Sequence, residues 1–328
     1  MRSGKPNNFL HLVRKFSGLL VPDSVYRARL KGRLERAAQR PDYEYMKQRA
    51  DYYIRLTKPW TMSEKDEMHR ERSWLFYAGK IGDYRRKYFH TAYYLDQHDV
   101  TRWFPKELRW NFCPGDVYFT PEMPTVVKSR LLAADNRNSV VLKLDKQRHF
   151  FYVRDPRRFT EKLDMAIFRG KIRQSRLRRA FLERCFGKSM FDCGVVGRNE
   201  GCPEEWMSPK KTIVEHLDYK FIIAIEGNDV ASNLKWVMSS NSIAVMTRPT
   251  CETWFMEGKL RPGIHYIEVK EDFSDIEEKL QYYVDHPDEA QKIIDQAHAY
   301  VAQFQDKERE ELIQLMVMQR YFSLSGQL

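Results

Sequence analysis

The sequence predicts an α/β protein of two domains, and three observations carry that reading. At 328 residues the chain is longer than one ordinary domain and suits about two, each able to bury a core. The stretch Tyr219 to Lys270 runs strand, turn, helix, strand. A β-branched run, Lys220-Phe-Ile-Ala-free of charge only after its first residue, is completed at Ile225 and followed by a turn at Glu226-Gly-Asn-Asp229. Apolar side chains at helical spacing come next (Val230, Leu234, Val237, Met238), with Asn228 or Asp229 as a suitable N-cap and a helix expected from Val230 to Ser240. Apolar runs at Ser242 to Met246 and His265 to Val269 close the pattern. This is the parallel arrangement that holds a ligand where strand ends face helix starts. The third observation is that strand patterns also occur earlier, at Val140-Val-Leu-Lys-Leu144 and at Asp164-Met-Ala-Ile-Phe-Arg-Gly170. The expected division is 1–155, 156–305 and a final helix, 306–328, that packs back on the first domain.

Taken in order, residues 1–60 read as helical, basic and aromatic. Tyr26 to Arg36 puts Leu30 and Leu34 on one face with a cationic rim, the pattern of a solvated surface helix or of one lying on an anionic membrane. Tyr43 to Leu56 reads as a second helix. Between Ser73 and Tyr94 aromatic residues are dense (Trp74, Phe76, Tyr77, Tyr84, Tyr88, Phe89, Tyr93, Tyr94); they suit core packing first and a sugar-stacking platform second. Asp155-Pro156 breaks structure between the domains, and Lys171 to Arg184 reads as a basic helix with a solvated face. Ser274-Asp-Ile-Glu277 is a capping box opening a helix to about Asp285. Pro287 suits the first turn of the next helix, whose face carries Ile293, Ala297, Val301 and Phe304. Lys307 to Phe322 forms the last helix.

Composition narrows the function classes. Hydrophobic residues make up 42% and charged residues 31%, a balance that suits a folded protein in water. No apolar run approaches the ~18 to 20 residues that span a bilayer. Phe9 to Val21 mixes its apolar residues with His11, Arg14, Lys15 and Ser17, so no signal peptide is expected. The five cysteines (Cys113, Cys185, Cys193, Cys202, Cys251) are odd in number, scattered and without a CxxC pair, as expected for reduced thiols in a cytoplasmic protein. The net charge of +11 is uneven: Met1 to Trp60 holds 14 Lys/Arg against 5 Asp/Glu, and Pro156 to Arg184 holds 10 against 3. Such segments suit anionic lipid or a phosphorylated substrate. No nucleic-acid reader motif accompanies them, so nucleic acid is not an expected partner.

The wording of the central stretch is more specific than its periodicity. Tyr219-Lys-Phe-Ile, Glu226-Gly-Asn-Asp-Val-Ala-Ser-Asn-Leu-Lys235, Ser239-Ser-Asn-Ser-Ile, Glu252-Thr-Trp254, Leu260-Arg-Pro-Gly-Ile-His-Tyr-Ile267 and Asp272-Phe-Ser-Asp275 occur in that order. Together they resemble glycosyltransferase family 90, and within it the bacterial lipopolysaccharide-modifying members, from about Asp116 to about Phe304. Phe168-Arg169-Gly170 matches that family's Phe-Arg-Gly motif. The resemblance implies a GT-B-like fold, two facing Rossmann-like domains with a cleft between them. It also implies inverting, metal-independent transfer of a sugar from a UDP-sugar to a lipopolysaccharide core or other surface glycan, with no cofactor.

Transfer from a nucleotide sugar develops negative charge on the leaving diphosphate, which a metal-free site must meet with donors of its own. The resemblance assigns that task to Arg169, Gly170, Lys235 and the segment Gly227, Asn228, Val230, Ala231, Ser232 and Asn233, with Arg130 and Glu252 also on the nucleotide-sugar side. Many relatives carry arginine where this chain has Asn233. No Asp-x-Asp triplet occurs, in keeping with an absence of metal. The acceptor hydroxyl needs a base. The family's aspartate follows an arginine, but here Arg130 is followed by Leu131, so the role passes to Asp135, with Asp116 as the alternative. Glu252 is equally suited to cap a helix containing Trp254. A non-catalytic nucleotide-sugar or glycolipid-binding scaffold at the bacterial inner membrane stays open as the second reading. The expected location is cytoplasmic, peripheral on the inner face of that membrane.

Overall fold

A computed structural model describes residues 21–62, 76–84, 91–132, 135–172, 175–197 and 201–328. Expectations for Phe9 to Leu20 and for Trp74, Tyr88 and Phe89 fall outside those residues. The described chain starts with helices α1 (Asp23–Ala38) and α2 (Tyr43–Tyr53), strand β1 (Tyr77–Lys80) and helix α3 (Thr91–Thr101). Strands β2 (Arg109–Cys113), β3 (Thr125–Val127), β4 (Ser129–Leu131) and β5 (Ser139–Val141) follow. Next come β6 (Leu163–Gly170), α4 (Arg176–Cys185), β7 (Phe191–Val195), β8 (Tyr219–Ile223), α5 (Leu234–Val237), β9 (Ile243–Met246) and β10 (Cys251–Thr253). Strand β11 (Ile267–Glu268) and helices α6 (Ile276–Asp285), α7 (Pro287–Ala302) and α8 (Lys307–Leu324) complete the set. The mixture, with parallel strands in both sheets of three or more, is an α/β fold.

Contacts divide the chain into two units. The first holds the residues up to 147 together with Cys251–Phe255 and Phe304–Leu328; the second holds Arg148–Thr250 and Met256–Gln303. The division falls at 147/148, and a five-residue segment from the middle of the chain belongs to the first unit.

In the first unit, β1, β2, β3 and β5 form one sheet in that order, with β1 antiparallel to β2 and the other pairs parallel. Its strands are apolar on both faces (Trp110, Phe112, Val126, Val127, Val140 and Val141 are all buried), as strands covered on two sides should be. Helix α8 packs against α1, α2 and α3 and buries Ile313, Leu315, Val317 and Met318. A second, two-stranded sheet pairs β4 with β10 antiparallel. The inserted segment is anchored by Trp254, whose ring stacks on Tyr53 at 3.7 Å and whose Nε1 donates to Glu310 at 2.6 Å. Glu310 also accepts from Arg49 at 2.5 Å and Lys143 at 3.0 Å. Burial acts to raise the Glu310 pKa, but those two cations outweigh it and hold the carboxylate ionised.

The second unit is built on five parallel strands in the order β11-β9-β8-β6-β7. The chain runs first outward from β6 to β7, then back past β6 to β8, so the connections change direction between β6 and β8. Phe168, Phe181 and Phe273 pack ring on ring beneath α4 and the start of α6. Three local expectations are corrected here. The helix expected over Val230 to Ser240 is only α5, Leu234–Val237. Polar side chains compete for its backbone: Asn233 donates to Ile223 O at 3.0 Å, and the Ser239 and Ser240 hydroxyls take the carbonyls of Trp236 and Val237. Ser274 does not open a capping box, because Phe273 is buried in the left-handed region (φ 55°) and Asp275 becomes the N-cap. Glu252 lies on β10, not at a helix start. Pro287 does begin its helix, and Ile293, Ala297 and Val301 line the buried face.

Candidate active site

In open parallel sheets, ligands bind outside the carboxyl ends of the strands where the connections change direction. In the second unit that point is the end of β6, at Arg169 and Gly170, beside the segment Ala224 to Gly227 that leaves β8. Helix α4 starts here with Ser175 as its N-cap; Ser175 accepts from the Arg178 amide and donates its hydroxyl to Glu226 O at 3.1 Å. Glu226 turns its carboxylate to the amide and hydroxyl of Thr250. Arg178 reaches across both strand ends, donating from Nη1 to Lys171 O at 2.7 Å and from Nη2 to Ile225 O at 3.1 Å. Gly227 is half-buried, Asn228 and Ser232 are exposed, and Val230 and Ala231 are buried beside them.

Arg169 and Lys235 are each held by a carboxylate within the second unit. Arg169 forms an ion pair with Asp192 and donates to three carbonyls, those of Phe168, Asp192 and Pro209. Asp192 also accepts from Tyr219 and pairs with Lys211 at 3.2 Å. Burial works against ionisation of Asp192, but the hydrogen bonds from Tyr219, Arg169 and Lys211 prevail and bring it down to about 2. Lys235 is fully buried, 2.5 Å from the equally buried Glu257. Gly170 has a packing reason to lack a side chain, since a Cβ there would lie 2.7 Å from the Phe168 ring.

In the first unit the strand pair β4/β10 sets Arg130 directly opposite Glu252. Arg130 Nε donates to the Glu252 carboxylate at 2.7 Å, and both side chains are fully buried. Tyr52 donates its hydroxyl to the other Glu252 oxygen, while Arg55 lies 3.4 Å from the first. Burial pushes the Tyr52 hydroxyl well above its ordinary pKa, with the Glu252 charge adding to it. Arg55 also donates to Asn136 at 2.9 Å, and Asn136 donates to Leu131 O at 2.7 Å, tying the loop after β4 to the same cluster. Asp135, on that loop, is exposed and clasped by Arg137 at 2.9 Å; the Arg137 hydrogen bonds pull its pKa down to about 2. Asp116 receives the buried Lys128 ammonium at 2.7 Å. Among the described residues, no three His, Cys, Asp or Glu side chains come together as a metal site.

The family model of glycosyl transferase family 90 matches residues 146–325, more than half of the chain. O-glucosyltransferase LpsA of Dichelobacter nodosus is 40% identical over 237 residues, covering 71% of this chain and 73% of that protein. The chain belongs to glycosyltransferase family 90. More distant similarity extends to protein O-glucosyltransferase 2 of Danio rerio, 33% identical over 79 residues (24% of this chain, 16% of that protein). It extends also to protein O-glucosyltransferase 3 of Homo sapiens, 25% identical over 165 residues (49% and 32%). The stretch matched by the family 90 model contains Arg169, Lys235 and Glu252, whereas Asp116, Arg130 and Asp135 precede it. Sequence reasoning missed the partners of the family 90 motif residues: Asp192 for Arg169, Glu257 for Lys235, and Tyr52 and Arg55 for Glu252. It also read the Lys171 to Arg184 helix as a solvated face, although Arg178 turns onto the strand ends. The one available signal was the Ser175 cap, which places Arg178 in the first turn of α4.

Proposed function

We propose that this chain transfers a sugar of the glucose, galactose or xylose type from a UDP-sugar to a lipopolysaccharide core or another surface glycan, with inversion and without a metal. The observation that carries this reading is the 40% identity with O-glucosyltransferase LpsA across 71% of the chain. The parallel sheet of the second unit supports it, with its motif residues at the ends of β6 and β8. In this reading the arrangement is GT-B. The second unit takes the nucleotide around Gly170, Gly227 and Asn228 to Asn233, and the first unit contributes the acceptor side and the base, Asp135 or Asp116. Both carboxylates are ionised by their cation partners, so each can accept a proton.

Incubating the purified protein with UDP-glucose, UDP-galactose and UDP-xylose tests this, with release of UDP as the readout. Turnover with one sugar, increased by added lipopolysaccharide core, is expected. Saturable binding without any UDP release would instead favour the scaffold reading. One observation favours that second reading: Arg169 and Lys235, the assigned diphosphate cations, are each already bound to a carboxylate.

A further inference from the structure

We propose that Arg178 is the side chain that holds the diphosphate of a nucleoside diphosphate at the β6/β8 edge of the second unit. This rests on the nucleotide-sugar reading above and names a binding residue within it. Three observations meet at this guanidinium. Its place is the first: hydrogen bonds to Lys171 O and Ile225 O hold it across the ends of the two strands between which the connections reverse, where a parallel sheet receives its ligand.

The second is Gly227. Its φ is not in the left-handed region, so the backbone conformation does not require glycine. Space does: a Cβ at Gly227 would lie 2.9 Å from Arg178 Nη2 and 3.2 Å from Cζ. The missing side chain therefore keeps the guanidinium against the turn that leaves β8, and it leaves the backbone there open to close approach.

The third is what surrounds it. Asn228 and Ser232, on the same turn, are exposed, and Arg178 is half-buried, so a ligand can reach this edge. Arg169 is turned down the sheet to Asp192, and Lys235 lies beneath the surface against Glu257. A planar guanidinium fixed by neutral carbonyls presents its charge in a set orientation, which matches the two-oxygen geometry of a phosphate better than a mobile ammonium would.

The test is calorimetric titration of UDP and of uridine into wild-type protein, Arg178→Ala, Arg178→Lys and Gly227→Ala, each checked by circular dichroism for an intact fold. Arg178→Ala should weaken UDP by about tenfold or more while leaving uridine unchanged, the loss expected for a charge-assisted bidentate contact. Arg178→Lys should restore part of the UDP affinity. Gly227→Ala, which displaces the guanidinium without removing it, should lower the preference for UDP over uridine in the same direction. A UDP-to-uridine affinity ratio unchanged in both Arg178→Ala and Gly227→Ala would overturn the assignment. Wild-type protein that binds neither compound would instead overturn the nucleotide-sugar reading itself.

Discussion

Arg130 and Glu252 stand opposite each other on β4 and β10, 122 residues apart in sequence, with a guanidinium nitrogen 2.7 Å from a carboxylate oxygen. Neither side chain has any exposure, so neither charge can turn to water if its partner is lost. Removing one member of such a pair costs about 3–5 kcal/mol, whereas replacing both with apolar groups of similar volume is often neutral. Arg130→Met and Glu252→Gln should therefore each lower unfolding stability strongly, and the double variant less than their sum. Additive urea midpoints would show that the pair is not coupled.

Lys235 and Glu257 form a second buried pair, inside the second unit. Lys235→Ala would strand a carboxylate that is 1% exposed and should destabilise by the same order, about 3–5 kcal/mol. Lost nucleotide binding in that variant would then reflect unfolding. Lys235→Met combined with Glu257→Gln should recover most of the lost stability in a thermal melt.

The acceptor base is tested on the loop after β4. Asp135→Asn keeps the shape of the side chain and removes its proton acceptor, so turnover should fall by roughly 10² or more with donor affinity nearly unchanged. Arg137→Ala should act in the opposite sense, because losing its hydrogen bonds raises the Asp135 pKa from about 2 towards the ordinary carboxylate range and makes it a stronger base. If Asp116→Asn abolishes turnover while Asp135→Asn spares it, the role belongs to Asp116.

Acid stability should report on Asp192. Its pKa is lowered from about 3.9 in the unfolded chain to about 2 in the fold. The stabilisation it contributes is complete above about pH 4 and disappears as the pH falls towards 2. Asp192→Asn should be less stable than wild type at neutral pH and should converge with it in acid. A stability gap that stays constant from pH 6 to about 2 would contradict the linkage.

The basic N-terminal helix is tested with vesicles. On α1, Leu30 and Leu34 are half-buried, and Tyr26 packs edge-on against Trp103 at 5.0 Å, so the apolar face is already used by the first unit. Arg29, Lys31 and Arg36 remain exposed. Any attraction to a membrane surface through this helix is therefore electrostatic, and sedimentation with anionic vesicles should diminish as salt rises and be absent with neutral ones. Equal sedimentation with neutral vesicles would point to insertion instead.

Local pattern alone determined much of the architecture. The β-branched runs at β8 and β9, Pro287 at the first turn of α7 and the apolar face of that helix were legible because each depends on neighbours within a few residues. The order of motifs pointed to the family for the same reason, since it is written along the chain. The helix over Val230 to Ser240 was misread where periodicity met a row of polar side chains that hydrogen-bond the backbone themselves. What only the tertiary structure decided is which charge meets which. Arg169 with Asp192, Lys235 with Glu257 and Arg130 with Glu252 are set by strand register and by which loop folds over which sheet end. No period in the sequence encodes those distances: an ion pair depends on two side chains arriving within about 4 Å of each other, and that is settled by packing far from either residue.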